Sequence, residues 1–229
     1  MKKLLINIIC GFIPNRNRRN RIRMQLKYHN TIVKMIEFAK SHSTKKHPKI
    51  KTSIGFGCHN FVVIVDDSMV FKFPIKTDGK EIAIREKRIT DALRPLSSIK
   101  IPKMEIINWN NITVRKYEFI RGVSLDSFSI KKRIKYADII IKQLAKFLYE
   151  IGQADPKEIR DLKPTPHKKP SFMYGWYQND LWYNFIMDPK TLKIKAFIDW
   201  EGTTFCDFGK RFKEDLHQRT KKIKYTMYF

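Results

Sequence analysis

Asp180, Asn184 and Asp199 are residues of the types, and in the order, that can hold a magnesium nucleotide beside a base. The amide oxygen of Asn184 suits a hard cation, which prefers oxygen ligands. Asp199 follows the apolar run Ala196-Phe197-Ile198, so a strand would deliver its carboxylate at its end, where it can hold magnesium bridging phosphates. Trp176, Tyr177, Trp182 and Tyr183 surround Asp180 in sequence; aromatic neighbours exclude water and strengthen the field of a carboxylate. Between the two acids, Phe185-Ile186-Met187 leaves the loop as a strand and Asp188-Pro189-Lys190 turns it back.

A second group lies upstream. Gly55 and Gly57 stand just before a β-branched run, where glycine lets backbone amides approach an anion closely; a structural turn is the other reading. Lys72 alternates with Val70 and is flanked by Phe71 and Phe73, which suggests a strand whose lysine face meets a ligand or an acid. A solvent-facing edge lysine has the same pattern. Glu86, in the middle of the next helix, could pair with Lys72 and fix it toward phosphate, or bridge on the surface to Lys87 or Arg88.

These residues need elements to position them, and 229 residues suffice for one domain or two small lobes. Hydrophobic residues at 42% and aromatics at 13% indicate a folded chain. Apolar spacing predicts a helix from Asn30 or Thr31 to Ala39, then a basic linker over residues 42–52. Phe61–Val65 and Met69–Phe73 form a hairpin around Asp66-Asp67-Ser68. Lys80–Leu93 reads as a helix with Ile82, Ile89 and Leu93 on its core face. Residues 104–109 and 112–120 form a second hairpin around Asn110-Asn111. Ser129–Ile151 reads as one long helix with Ile134, Ile140, Ile141, Leu144 and Leu148 inward, and a loop rich in Pro, Lys and Asp follows. The plan is α+β, sheet-rich first and mostly helical after.

Net charge is +25, and residues 1–51 hold 14 Lys/Arg against one acid, Glu37. Such a field attracts polyanions, either nucleic acid or an anionic membrane surface, unless the lysines simply coat a solvated surface. The apolar stretch Leu4–Ile13 is too short to span a bilayer, and an arginine cluster at 16–23 follows it. That pairing suits a segment lying on an anionic cytoplasmic leaflet, or a first helix packed on the body. No RNA-binding aromatic motif or helix-turn-helix pattern supports nucleic acid. Cys10, Cys58 and Cys206 are odd in number and widely spaced, as in a reducing compartment.

With Gln178-Asn179-Asp180-Leu181, Asn184 and Ile198-Asp199-Trp200, the chain resembles the protein-kinase-like small-molecule kinases, the aminoglycoside phosphotransferase and choline kinase group. Within that group it is most similar to the short bacterial kinases of the lipopolysaccharide core. Tyr117-Glu118-Phe119-Ile120-Arg121-Gly122-Val123-Ser124-Leu125 looks like their hinge. The resemblance covers roughly residues 52–215 and implies a bilobal fold with a small β-rich N-lobe and a short helical C-lobe. In domain terms it implies an N-terminal segment over 1–50, an N-lobe over 51–120 and a C-lobe over 121–229. It also implies ATP and Mg2+ as cofactors. Asp180 would be the base, Asn184 and Asp199 the metal ligands, and Gly55, Gly57, Lys72 and Glu86 the phosphate side. Hinge backbone near Phe119–Arg121 would meet adenine.

The chain departs from that pattern in three places. Gln178 stands where the family has histidine. Asn184 follows Asp180 by four residues, not five, so an ungapped alignment would put Asn179 in the base position and imply a pseudokinase; a one-residue deletion keeps Asp180 there. Only 30 residues follow Asp199. The expected activity is phosphorylation of a sugar hydroxyl on a lipopolysaccharide-type glycolipid at the inner face of the cytoplasmic membrane. The alternatives are a soluble aminoglycoside or choline-type kinase, or an inactive binding module.

Overall fold

Asp66, Asp67, Asn110 and Asn111 all adopt positive φ, as the two sequence-predicted hairpins require, because Asp and Asn tolerate the left-handed turn conformation. The first hairpin joins β2 (Asn60–Val65) to β3 (Met69–Pro74), and the second joins β4 (Glu105–Trp109) to β5 (Ile112–Glu118). With β1 (Ile50–Ile54) they form an antiparallel sheet in the order β1-β2-β3-β5-β4. This computed structural model describes residues 10, 15–54, 60–75, 79–163, 174–179, 181–214 and 217. The chain divides into two units, Met1–Ala83 with Glu105–Phe119 and Ile84–Met104 with Ile120–Phe229.

In the first unit, helices α1 (Arg16–Lys27) and α2 (His29–Lys40) precede the sheet. Asn15 caps α1 by accepting the Arg18 N–H at 3.0 Å. Met35 and Ala39 of α2 pack on Phe61, Val63, Val65, Phe71, Phe73 and Val114, and Phe38 stacks on Trp109 at 5.0 Å between ring centroids. Strand alternation turns the other residues of β2, β3 and β5 to the opposite face, and Lys72 and Arg115 are directly paired across it. The predicted basic linker over 42–52 is cut short by β1, an edge strand that carries Lys51. Lys51 reaches Asp67, and Asp66 accepts from Ser43 Oγ at 2.5 Å and from the Lys49 N–H at 3.0 Å.

Helix α3 (Lys80–Leu93) carries the chain into the second unit. Its buried residues are Ala83, Glu86, Ile89, Thr90 and Leu93, and Ile82 is exposed. Ile89 and Leu93 thus lie on the core face as the sequence suggests, Ile82 does not, and Glu86 shares that face because it has a main-chain partner inside. The predicted long helix is broken at Tyr136 (φ −110°), giving α4 (Ile130–Lys135) and α5 (Ala137–Gly152) and leaving Ile134 54% exposed.

The remaining strands are β6 (Val123–Ser124), β7 (Tyr174–Gln178), β8 (Phe185–Met187), β9 (Ile194–Phe197) and β10 (Thr203–Asp207). A turn of helix, α6 (Leu181–Asn184), leads into β8. They make one sheet ordered β6-β8-β9 and a β7–β10 pair, more strand than a mostly helical second half would hold. Around them, Phe147 of α5 stacks on Phe197 at 3.9 Å, with Trp200 edge-on at 6.0 Å.

Strand β7 and the end of α5 meet backbone to backbone. A Cβ on Gly175 would stand 1.8 Å from the Gly152 carbonyl oxygen. Because the obstacle is main chain, no rotamer change relieves it. Gly175→Ala is expected to cost about 3 kcal/mol or more, read as a lower urea midpoint at unchanged slope; a midpoint like that of the parent protein would show that the two glycines do not touch in solution.

Candidate active site

The second unit places two of its candidate residues, Asn184 and Asp199, at the open end of the β8–β9 hairpin. Phe185 pairs with Phe197, and the next rung is closed by the Ile198 N–H donating to the Asn184 carbonyl at 2.8 Å. Asn184 and Asp199 therefore lie at one end of the hairpin, Asn184 at the end of α6 and Asp199 just past β9. Asp199 is exposed and has φ of 59°, a left-handed conformation that Asp tolerates better than most residues but that still costs energy.

Neighbouring residues fix that conformation from three directions. Gln178 is buried and its Nε2 donates to the Asp199 carbonyl at 2.9 Å and to the Ile198 carbonyl at 3.4 Å. Glu86 is 2% exposed and its Oε1 accepts the Trp200 N–H at 2.9 Å. Arg85, the preceding residue of α3, donates to the Thr203 carbonyl at 2.6 Å and the Glu201 carbonyl at 3.4 Å. Burial pulls the Arg85 pKa down, though a guanidinium stays charged. One turn of α3 thus bonds the backbone just after Asp199 with an acceptor and a donor placed side by side. The indole of Trp200 adds a bond from Nε1 to the Phe197 carbonyl at 3.2 Å and fills the core beneath.

Asn179 is engaged at both ends of its amide. Nδ2 donates to the Gly202 carbonyl at 2.5 Å, and Oδ1 accepts from Thr204 Oγ1 at 3.4 Å. Asp180, Gly55 and Gly57 lie outside the described residues. Among the described residues no cluster of three or more His, Cys, Asp or Glu could hold a metal ion.

In the first unit, Lys72 is on the middle strand of the sheet and 3% exposed, which removes the edge-lysine reading. Beside it, Arg115 is buried and its Nη2 donates to Asn60 Oδ1 at 2.5 Å. Lys72 and Arg115 are thus two buried basic side chains paired across adjacent strands of one sheet face. The Phe119 N–H donates to the Ser68 carbonyl at 2.7 Å. In the second unit, the Arg121 carbonyl accepts from Lys195 Nζ at 2.7 Å.

Arg85, Arg115 and the bonds of Gln178 are absent from the sequence reading. Alternation with Val114 marks Arg115 as facing away from the α2 side, a signal that was available. Arg85 and Gln178 act on main-chain atoms 20 or more residues away in the chain, and no local pattern marks that.

No protein-family model matches the sequence, and no curated protein matches it. The structure does align with solved ones. The GDP complex of wild-type aminoglycoside 2'-phosphotransferase-IIIa gives a TM-score of 0.60 at 14% identity, covering 77% of this chain and 74% of that one. Macrolide 2'-phosphotransferase from Brachybacterium faecium, as the apoenzyme, gives 0.60 at 14% identity over 78% and 74%. An ADP-bound aminoglycoside phosphotransferase gives 0.53 at 14% identity over 78% and 73%. At this identity the likeness concerns architecture: the chain has the α+β fold of the protein-kinase-like small-molecule phosphotransferases.

Proposed function

We propose that this chain is an ATP- and magnesium-dependent kinase that phosphorylates a hydroxyl, on a sugar of a lipopolysaccharide-type glycolipid at the inner face of the cytoplasmic membrane. The observation that carries the kinase reading is the clamped, left-handed Asp199 beside Asn184. Strain held in place from three sides and ending in an exposed carboxylate is what a functional residue shows. Asn184 and Asp199 would hold magnesium, which when bound would neutralise charge developing on the transferred phosphoryl group. Lys72, supported by Arg115 and by Gly55 and Gly57, would hold the nucleotide phosphates. Adenine would meet the hinge through the Phe119 carbonyl and the Arg121 N–H. Asp180 would orient the acceptor hydroxyl and take its proton. The double engagement of Asn179 supports Asp180 over Asn179 in that role, because a side chain tied to Gly202 and Thr204 is part of the loop's frame.

The glycolipid acceptor rests on the basic amino-terminal quarter and on the sequence likeness to lipopolysaccharide core kinases. Among the described residues no helix is long and apolar enough to cross a membrane. A second reading, a soluble acceptor, is favoured by the aminoglycoside and macrolide enzymes among the structural neighbours.

Incubating the purified chain with radiolabelled ATP and Mg2+ on glycolipid vesicles, kanamycin and choline separates the readings. Label on the glycolipid sugar alone is expected. Label on kanamycin or choline alone would overturn the acceptor, and nucleotide binding without label on any acceptor would make the chain a pseudokinase.

A further inference from the structure

In the second unit, α4 and α5 expose positions 131, 134, 135, 138, 139, 142, 145, 146 and 149. The three-and-four spacing runs on through the break at Tyr136, and on α5 it lies opposite the buried Ile140, Leu144, Phe147 and Ile151. Four of these positions are lysines, Lys131, Lys135, Lys142 and Lys146, and Asp138 is the only acid. Interleaved with them, Ile134 is 54%, Ile139 49% and Tyr149 62% exposed. Single exposed apolar residues are ordinary, but three on one lysine-lined stripe are a pattern. Lys146 faces Glu150 at 3.7 Å, and Glu150 is otherwise bonded to Ser98. Among the described residues the other three lysines make no ion pair.

We propose that this stripe docks the second unit on an anionic lipid surface. Isoleucine and tyrosine would enter the headgroup boundary, and the lysine stems would lie along it with their ammonium groups at the phosphates. An acidic protein surface fits less well, since lysine is depleted in the cores of protein interfaces. The site is separate from the amino-terminal segment. It deepens the glycolipid reading and rests on it for the identity of the bilayer, but vesicle binding needs no turnover, so each can fail alone.

The test is flotation of the full chain with phosphatidylcholine vesicles, with and without phosphatidylglycerol. Each lysine at such a surface is worth about fivefold in partitioning, so Lys142→Glu with Lys146→Glu should weaken binding to anionic vesicles by at least about tenfold. The equally charged control, Lys103→Glu with Lys157→Glu, should change it far less. Ile139→Ser with Tyr149→Ser should lose binding severalfold even at high salt, where screening removes the electrostatic part. Magnesium-nucleotide binding should be the same in all of them. Unchanged vesicle binding by the lysine reversal, or an equal loss in the control, would overturn the proposal. Loss on reversal with none in the Ser variant would assign the stripe to diffuse electrostatics or an acidic protein, and would overturn it too. Stripe-dependent binding by a chain that binds no nucleotide would leave the docking intact and end the kinase reading.

Discussion

Asp199→Asn should cut phosphoryl transfer by about a thousandfold or more while leaving the protein folded with a melting temperature within a few degrees of the parent. The two side chains have the same shape, and both tolerate the left-handed backbone observed at this position. What the amide loses is the negative charge that would bind magnesium, and charge neutralisation by the metal is most of what phosphoryl transfer asks of a protein. Asp199→Gly makes the complementary case. It removes the carboxylate and relieves the backbone, so activity should vanish while stability holds or rises by up to about 1 kcal/mol. A residue whose removal costs activity and no stability serves the reaction and not the fold. Turnover with saturating ATP, alongside thermal unfolding of the same preparations, checks both. If Asp199→Asn retained a tenth of the parent rate, Asp199 would not be a metal ligand.

The second large effect falls on Glu86. Glu86→Ala leaves the Trp200 N–H as a buried donor without its acceptor and opens a cavity on the inward face of α3. The two penalties together should destabilise the chain by about 2–4 kcal/mol. They should also raise the magnesium concentration needed for nucleotide binding, because Trp200 adjoins Asp199. Glu86→Gln keeps an oxygen that can accept the same N–H, so most of the stability should return. Gln178→Ala removes the donor to the Asp199 carbonyl from the other side and should cost about 1–3 kcal/mol, with the same direction of change in magnesium dependence. Urea denaturation and magnesium titrations of nucleotide binding measure both quantities. A Glu86→Ala protein as stable as the parent would mean that the Trp200 bond is absent in solution.

Glu86 also marks where the sequence stops being readable. Its helix was legible end to end, since the pattern over Lys80–Leu93 and the proline beyond it are local signals. Its orientation was legible only in part: Ile89 and Leu93 are buried as their spacing implied, but Ile82 is exposed. The apolar residues pointed to Ile82, whereas the bond from Trp200, 114 residues away, turned the Glu86 face inward. Ile134 shows the same limit, because a break at Tyr136 left it exposed although its spacing matched the core stripe. Strand β1 carried no apolar alternation, and it forms through main-chain pairing with β2.

The sequence by itself determined the two left-handed hairpin turns, the strand-ending Asp199 and the α+β plan, because Asp and Asn backbone preferences and two-residue alternation act between near neighbours. Tertiary structure alone decided that Lys72 is buried at mid-sheet beside Arg115, that Gln178, Arg85 and Glu86 hold the backbone around Asp199, and that one lysine-lined stripe of α4 and α5 stays exposed. Each of those outcomes depends on a partner far along the chain, and a partner of that kind leaves no periodicity behind.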